Sequence, residues 1–171
     1  MPPEEMGHPK SPASAQRTAV SPALRSAGSF TGESDYEVAF SLARPGGSAL
    51  SAEQWGRAVF EEAPRALRWF LIVGWTAITC RLRPRHAPTR VLGWDIERAA
   101  PGTLVTVVHA WVGLTSRLVV SVESETVTVA TFVRYTRPST LPARVVWAAT
   151  IPLHERILPY LLTSAARRHC A

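Results

Sequence analysis

From Asp35 the chain alternates between two sets. Tyr36, Val38, Phe40 and Leu42 are apolar, and Asp35, Glu37, Ala39 and Ser41 between them are small or charged. A period of two over that length marks a strand with one face buried. Arg44-Pro-Gly-Gly-Ser48 then turns the chain, and Leu50-Ser51-Ala52-Glu53-Gln54-Trp55 carries a helix start. Ser51 with Gln54 fits a capping box, and Leu50 and Trp55 hold the two staple positions. The spacing predicts a helix from 52 to about 62. Pro64 suits the first turn of a second helix, which continues to about Leu82.

That second helix contains the run Arg68-Trp-Phe-Leu-Ile-Val-Gly-Trp-Thr-Ala-Ile-Thr-Cys80, which is apolar on every side. Its uncharged part, Trp69 to Cys80, has 12 residues, whereas a membrane span needs about 20. A helix of that length rises only about 18 Å. A short run that is apolar all round reads as a buried helix. The expectation is therefore no stable membrane insertion, although Trp69, Trp75 and the flanking arginines would suit an interface.

Val91 to Arg137 breaks into four alternating runs, 91–98, 103–112, 115–123 and 126–136, joined by short links. Pro101-Gly102 fits a type II turn, and links this short make antiparallel neighbours. If every link has two residues, Trp94 faces His109, His109 faces Leu118 and Leu118 faces Thr131. One face of the meander then collects Leu92, Trp94, Ile96, Val105, Val107, His109, Trp111, Leu118, Val120, Val122, Val127, Val129, Thr131, Val133 and Tyr135. The other carries Asp95, Glu97, Thr106, Arg117, Ser121, Glu123, Thr128 and Arg134, and a slip of one residue would mix the sets. Val108, Val119, Ala130 and Phe132 interrupt the polar face and would suit contact with another chain, which leaves a homodimer open. From Leu141 to Arg168 the pattern is helical, with Leu153, Ile157 and Leu161 in a stripe that Val146 and Thr150 extend backwards. Pro152 and Pro159 inside it predict a bend or a break.

Composition changes this picture little. The chain has 171 residues, 46% of them hydrophobic, and a net charge of +6. Lys10 is its one lysine, the arginines are scattered, and no basic stretch is interleaved with aromatics, so nucleic acid is not an expected partner. The densest basic patch, Arg81, Arg83, Arg85, His86 and Arg90, falls in a proline-broken loop and reads as solvated. Residues 1–32 are rich in Ser, Pro and Ala without periodicity and read as a disordered leader before a single domain over 33–171. Cys80 and Cys170 are too few for a disulfide scaffold or a zinc site, and the five histidines are dispersed, so neither metal nor cofactor is expected. Cys80 reads as a small buried hydrophobe. The N-terminus lacks the pattern of a secretory signal, which makes the cytoplasm the default location. His154-Glu155 lacks the second histidine of a metalloprotease helix and reads as surface or orienting.

The element order, one strand, two helices, an antiparallel meander and a long closing helix, resembles a shortened helix-grip fold, that of the START and pollen-allergen (SRPBCC) superfamily. The fold class is then α+β. More narrowly, 51–60 (Ser-Ala-Glu-Gln-Trp-Gly-Arg-Ala-Val-Phe), 91–94 (Val-Leu-Gly-Trp), 130–135 (Ala-Thr-Phe-Val-Arg-Tyr) and 152–162 (Pro-Leu-His-Glu-Arg-Ile-Leu-Pro-Tyr-Leu-Leu) are similar to a domain family of unknown function common in actinobacteria. That family brings no established catalytic residues. The superfamily resemblance implies an apolar cavity between the sheet and the 141–168 helix. Its candidate ligand contacts are Trp94, His109, Trp111, Thr131 and Tyr135, with Ser116 near one end. An apolar pocket with a few convergent polar groups is the usual form of a small-molecule site. Three functions follow: a carrier or sensor of a small apolar molecule, an interaction module with a filled core, and a cyclase- or hydratase-type enzyme. A cavity below roughly 300 Å³ would favour the filled core. A buried titratable group with a displaced pKa would favour the enzyme.

Overall fold

The computed structural model describes residues 14–44, 48–77, 87–136 and 141–169. Its elements are β1 (Gln16–Thr18), α1 (Pro22–Gly28), β2 (Tyr36–Ala43), α2 (Ala52–Phe60), α3 (Arg65–Ala77), β3 (Arg90–Val91), β4 (Trp94–Ala100), β5 (Thr103–Ala110), β6 (Leu114–Val122), β7 (Thr126–Tyr135) and α4 (Leu141–Arg168). The strands form one open antiparallel sheet of seven in the order β1-β2-β7-β6-β5-β4-β3. With a long C-terminal helix against it, this is an α+β, helix-grip-like fold.

Several elements form as their sequence dictates. β2 turns Val38, Phe40 and Leu42 into the main core and pairs along its whole length with β7. The capping box is present: Gln54 N–H donates to Ser51 Oγ at 3.3 Å, and Ser51 N–H donates to Gln54 Oε1 at 2.8 Å. β6 and β7 pair as expected, with Leu118 opposite Thr131. Ala100 opposes Thr103 across Pro101-Gly102, but Gly102 lacks the positive φ that a type II turn requires.

β5 departs from the expected register, for two physical reasons. A bulge between Ile96 and Arg98 shifts β4 by one residue against β5. The β5–β6 link has three residues, Trp111 to Gly113, with Gly113 at φ 83°. Glycine takes that left-handed backbone without a Cβ clash, which closes a three-residue hairpin. Leu104, Thr106 and Val108 therefore face the main core, while Val105, Val107 and His109 turn to the opposite face. His109 opposes Thr115 and not Leu118. The stretch 91–98 is also not one strand. Leu92 (φ 46°) and Gly93 (φ 92°) make a tight turn that folds Val91 back onto Trp94.

The outer face of the sheet is covered by part of what read as a leader. Ser21 Oγ accepts from Leu24 N–H at 3.2 Å, and Pro22 opens α1, a conventional helix start. Leu24 and Val20 bury Val105, Val119, Ala130 and Phe132 in a second core. The apolar interruptions of the polar face, Val108 excepted, are thus covered from within the chain. Order in this region begins well before Asp35; residues 1–13 lie outside the described set.

The two cavity-side helices differ from expectation. α4 runs through both prolines as one helix, and its inward stripe is Trp147, Leu158, Leu161 and Ala165. Leu153, expected in that stripe, is exposed. α3 is only half enclosed: Leu71 and Ile72 are buried, while Trp69 (62% exposed), Phe70 (46%) and Val73 (57%) face outward. It packs sparsely on the other described elements, so apolar residues on its far side stay largely exposed. Cys80, Cys170 and the basic patch from Arg81 to His86 lie outside the described residues. Among those described, no helix is long and apolar enough to cross a membrane.

Candidate functional site

Between the inner face of the sheet and α4 lies a chamber. Trp94, Val108, Leu118 and Ser116 wall it from the sheet, Trp147, Thr150, His154 and Leu158 from α4, and Phe60, Leu71 and Trp75 close it from α2 and α3. Its volume is about 50 Å³, and its walls are mostly apolar. That volume holds a few waters, each of which needs roughly 10–15 Å³. It is well below the several hundred Å³ of an open small-molecule site.

Aromatic rings set its shape. Trp75 and Trp94 lie 5.2 Å apart between centroids, and Phe60 stands 6.3 Å from Trp75. On the α4 side Trp147 contacts Tyr36 at 5.4 Å and His154 at 5.5 Å. Such tilted and edge-on pairs hold the rings more firmly than burial alone. Two of these indoles carry an unmet demand: the Nε1–H groups of Trp94 and Trp147 are buried with no acceptor among the described residues. A buried donor left unpaired costs roughly 1–3 kcal/mol, so each position calls for a water or a ligand oxygen.

The chamber's titratable group is His154. Its Nε2 shares a 3.0 Å hydrogen bond with Thr131 Oγ1. The residue keeps some solvent exposure, but the imidazole lies inside against Trp147, and burial pushes its pKa down to about 4. His154 is neutral at physiological pH. The neighbouring Glu155 points elsewhere, accepting from Tyr36 Oη and from Arg17 Nη1, each at 3.0 Å. Burial and that hydrogen bond raise the Tyr36 pKa.

The expected contacts divide. Trp94 lines the chamber, and Thr131 is buried at its edge holding His154. His109 lies on the outer face, its Nδ1 3.0 Å from Thr115 Oγ1, and Trp111 sits in the β5–β6 turn, 69% exposed. Tyr135 is half-buried at the sheet's end with the Arg144 guanidinium 5.1 Å from its ring centre. His109 and Tyr135 border a broad open groove on the outer face, with Arg117 and Arg134. Both arginines already serve the fold there: Arg117 donates to Glu97 and to the Ser29 carbonyl, and Arg134 donates to the Thr31 carbonyl. The residues that sequence reasoning missed are His154 and Trp147. They stand seven apart, with Leu158 and Leu161 following at helical spacing, so a stripe that admitted aromatic and imidazole rings would have found them. Among the described residues no cluster of His, Cys, Asp and Glu could hold a metal ion.

No family model matches the chain, and no curated protein matches it. Among solved structures, CalU16 from Micromonospora echinospora is similar, with 11% identity over 92% of this chain and 94% of that one, at a TM-score of 0.31. A likeness that distant carries no argument about function.

Proposed function

We propose that the protein binds a small, largely apolar molecule bearing one or two oxygen acceptors, between the sheet and α4, on the helix-grip scaffold its sequence resembles. The observation that carries this reading is the pair of acceptor-less indole N–H groups, on Trp94 and Trp147, in the walls of one chamber beside a neutral histidine. Trp55, away from the chamber, has an unpartnered indole as well, so the reading rests on two such groups meeting at one void, where a ligand oxygen would satisfy them. Because the chamber is small, binding requires α3 to move. That helix packs through Leu67, Leu71, Ile72 and Trp75 and makes few contacts with the other elements, which makes it the part of the wall that opens at least cost.

Binding is favoured over catalysis. A histidine whose conjugate acid sits near 4 is a weak base at neutral pH. Among the described residues no carboxylate lines the chamber to work with it. The 50 Å³ volume favours a second reading, an interaction module whose core is already full.

A thermal-shift screen over fatty acids, sterols and aromatic polyketides separates the two. A ligand that binds only the folded state stabilises it by about 2.7 kcal/mol at a hundredfold excess over Kd. On the binding reading, some oxygen-bearing compound raises Tm with concentration and quenches tryptophan fluorescence. Trp147→Phe then weakens that compound by about tenfold and a hydrocarbon probe much less. If no compound shifts the wild type and Val108→Trp, which adds bulk inside the chamber, strongly destabilises it, the core is full and the interaction module stands.

A further inference from the structure

We propose that α3 and the first half of α4 seat the protein on an anionic lipid surface. α3 has two apolar faces. Leu71 and Trp75 turn to the chamber, while Trp69, Phe70 and Val73, spaced to share the opposite face, stand in solvent. The first half of α4 repeats the arrangement: Trp147 faces in, and Leu141, Val145 and Leu153 are exposed. Exposed apolar faces on two helices that wall the same chamber mark a candidate interaction surface.

Charge selects the partner. Neither 65–77 nor 141–154 contains an Asp or Glu, although the chain has 13 of them. The two stretches contribute Arg65, Arg68 and Arg144. Arg65 is exposed, Arg68 donates to the Glu61 carbonyl at 2.6 Å, and Arg144 stands 3.8 Å from Asp35. A second copy of a chain with a net charge of +6 would bring like charge to this face. An anionic bilayer brings the opposite charge, together with an interface in which tryptophan and phenylalanine rings are favoured. No described helix can span a bilayer, so the contact is peripheral. The seat does not depend on the ligand reading, but it gives that reading a route: the helices that would touch lipid are those that wall the chamber.

Flotation of the full chain tests it. Vesicles of phosphatidylcholine, and of phosphatidylcholine with about one part in three of phosphatidylglycerol, are compared at low and physiological salt. The expected result is co-flotation with the anionic vesicles, weakened by salt and nearly absent with the neutral ones. Phe70→Glu with Val73→Glu should reduce binding at least tenfold while leaving Tm within a few degrees, since both positions are exposed. Arg65→Glu should reduce it less. Absence of flotation at low salt overturns the proposal. So does flotation that survives the double substitution, or a double variant that converts a dimer to a monomer on sizing, which would assign the face to a second copy. Trp147→Phe should leave flotation unchanged, so a failure here is distinguishable from a failure of the ligand reading.

Discussion

The two faces of the sheet are both covered by helices, yet they are packed in opposite ways. On the outer face α1 lies on small side chains, Ala39, Val119 and Ala130, around the single large ring of Phe132. Gly28 lets the helix come down onto that ring; a Cβ there would collide with it. On the inner face α4 meets large rings and keeps a void and a buried imidazole, and three indole donors in that core, those of Trp55, Trp94 and Trp147, have no partner among the described residues. Under α1 the outer face is closely packed and gains the contact energy that goes with it, and the inner face forgoes part of that energy. A surface built only for stability would resemble the first. The second keeps room and hydrogen-bonding capacity that folding does not use, which is where a ligand would find a place.

The largest effect expected from perturbing this contrast is on the outer face. Phe132→Ala should cost about 3–5 kcal/mol in denaturant unfolding, since the ring is enclosed and α1 cannot collapse into its space. A loss below about 1 kcal/mol would show that α1 contributes little.

Next comes acid on the inner face. His154 has a folded pKa near 4, depressed from about 6.5 in the unfolded chain. The unfolded state therefore takes up the proton first. The stability due to neutral His154 is complete above about pH 6.5 and is lost as pH falls towards 4, by about 3 kcal/mol in all. Melting curves between pH 7 and 5, above most carboxylate titration, should show this slope, and His154→Gln should flatten it. A slope unchanged in the variant would place the cause elsewhere.

Gly28→Ala should cost about 1–3 kcal/mol by pushing α1 off Phe132, and the loss should shrink in a Phe132→Leu background, because the two side chains share the space. The smallest effect belongs to the inner face again. Trp147→Phe removes a donor that has no partner, so its stability should stay within about 1.5 kcal/mol of wild type by chemical unfolding. A larger loss would mean that a water already satisfies that indole.

The same contrast shows what was legible in the sequence. β2, the capping box at Ser51 and the β6–β7 register were readable because each rests on local pattern and a short link. The side on which β5 shows its residues was not. A bulge at Ile96–Arg98 and one extra residue before Leu114 are invisible to alternation, and β5 is β-branched on both faces, so either register satisfied the pattern. That error carried His109, Trp111 and Val107 away from the chamber. α1 was hidden by composition: its Ser-Pro cap resembles the surrounding Ser/Pro/Ala sequence, and its burial depends on a patch more than 70 residues later in the chain, from Val105 to Phe132. His154 was hidden because the stripe was drawn through Leu153, which is exposed, although Thr150, Ile157 and Leu161 of the same stripe do line the chamber.

The N-terminal segment also protects the molecule from its own kind. β1 pairs with β2 from Gln16 to Thr18 and occupies part of what would otherwise be a bare sheet edge. Ala15 N–H donates to Thr163 Oγ1 at 2.9 Å, and Arg17 reaches Glu155, so this short strand also ties the sheet to α4. An open edge beside uncovered apolar side chains is a template on which other chains can stack. A chain trimmed to begin at Glu33, as composition alone would suggest, would present the β2 edge and the Phe132 patch together. It would keep every chamber residue and is still expected to precipitate more readily than the full chain, because the segment that covers this edge and patch lies apart from the chamber.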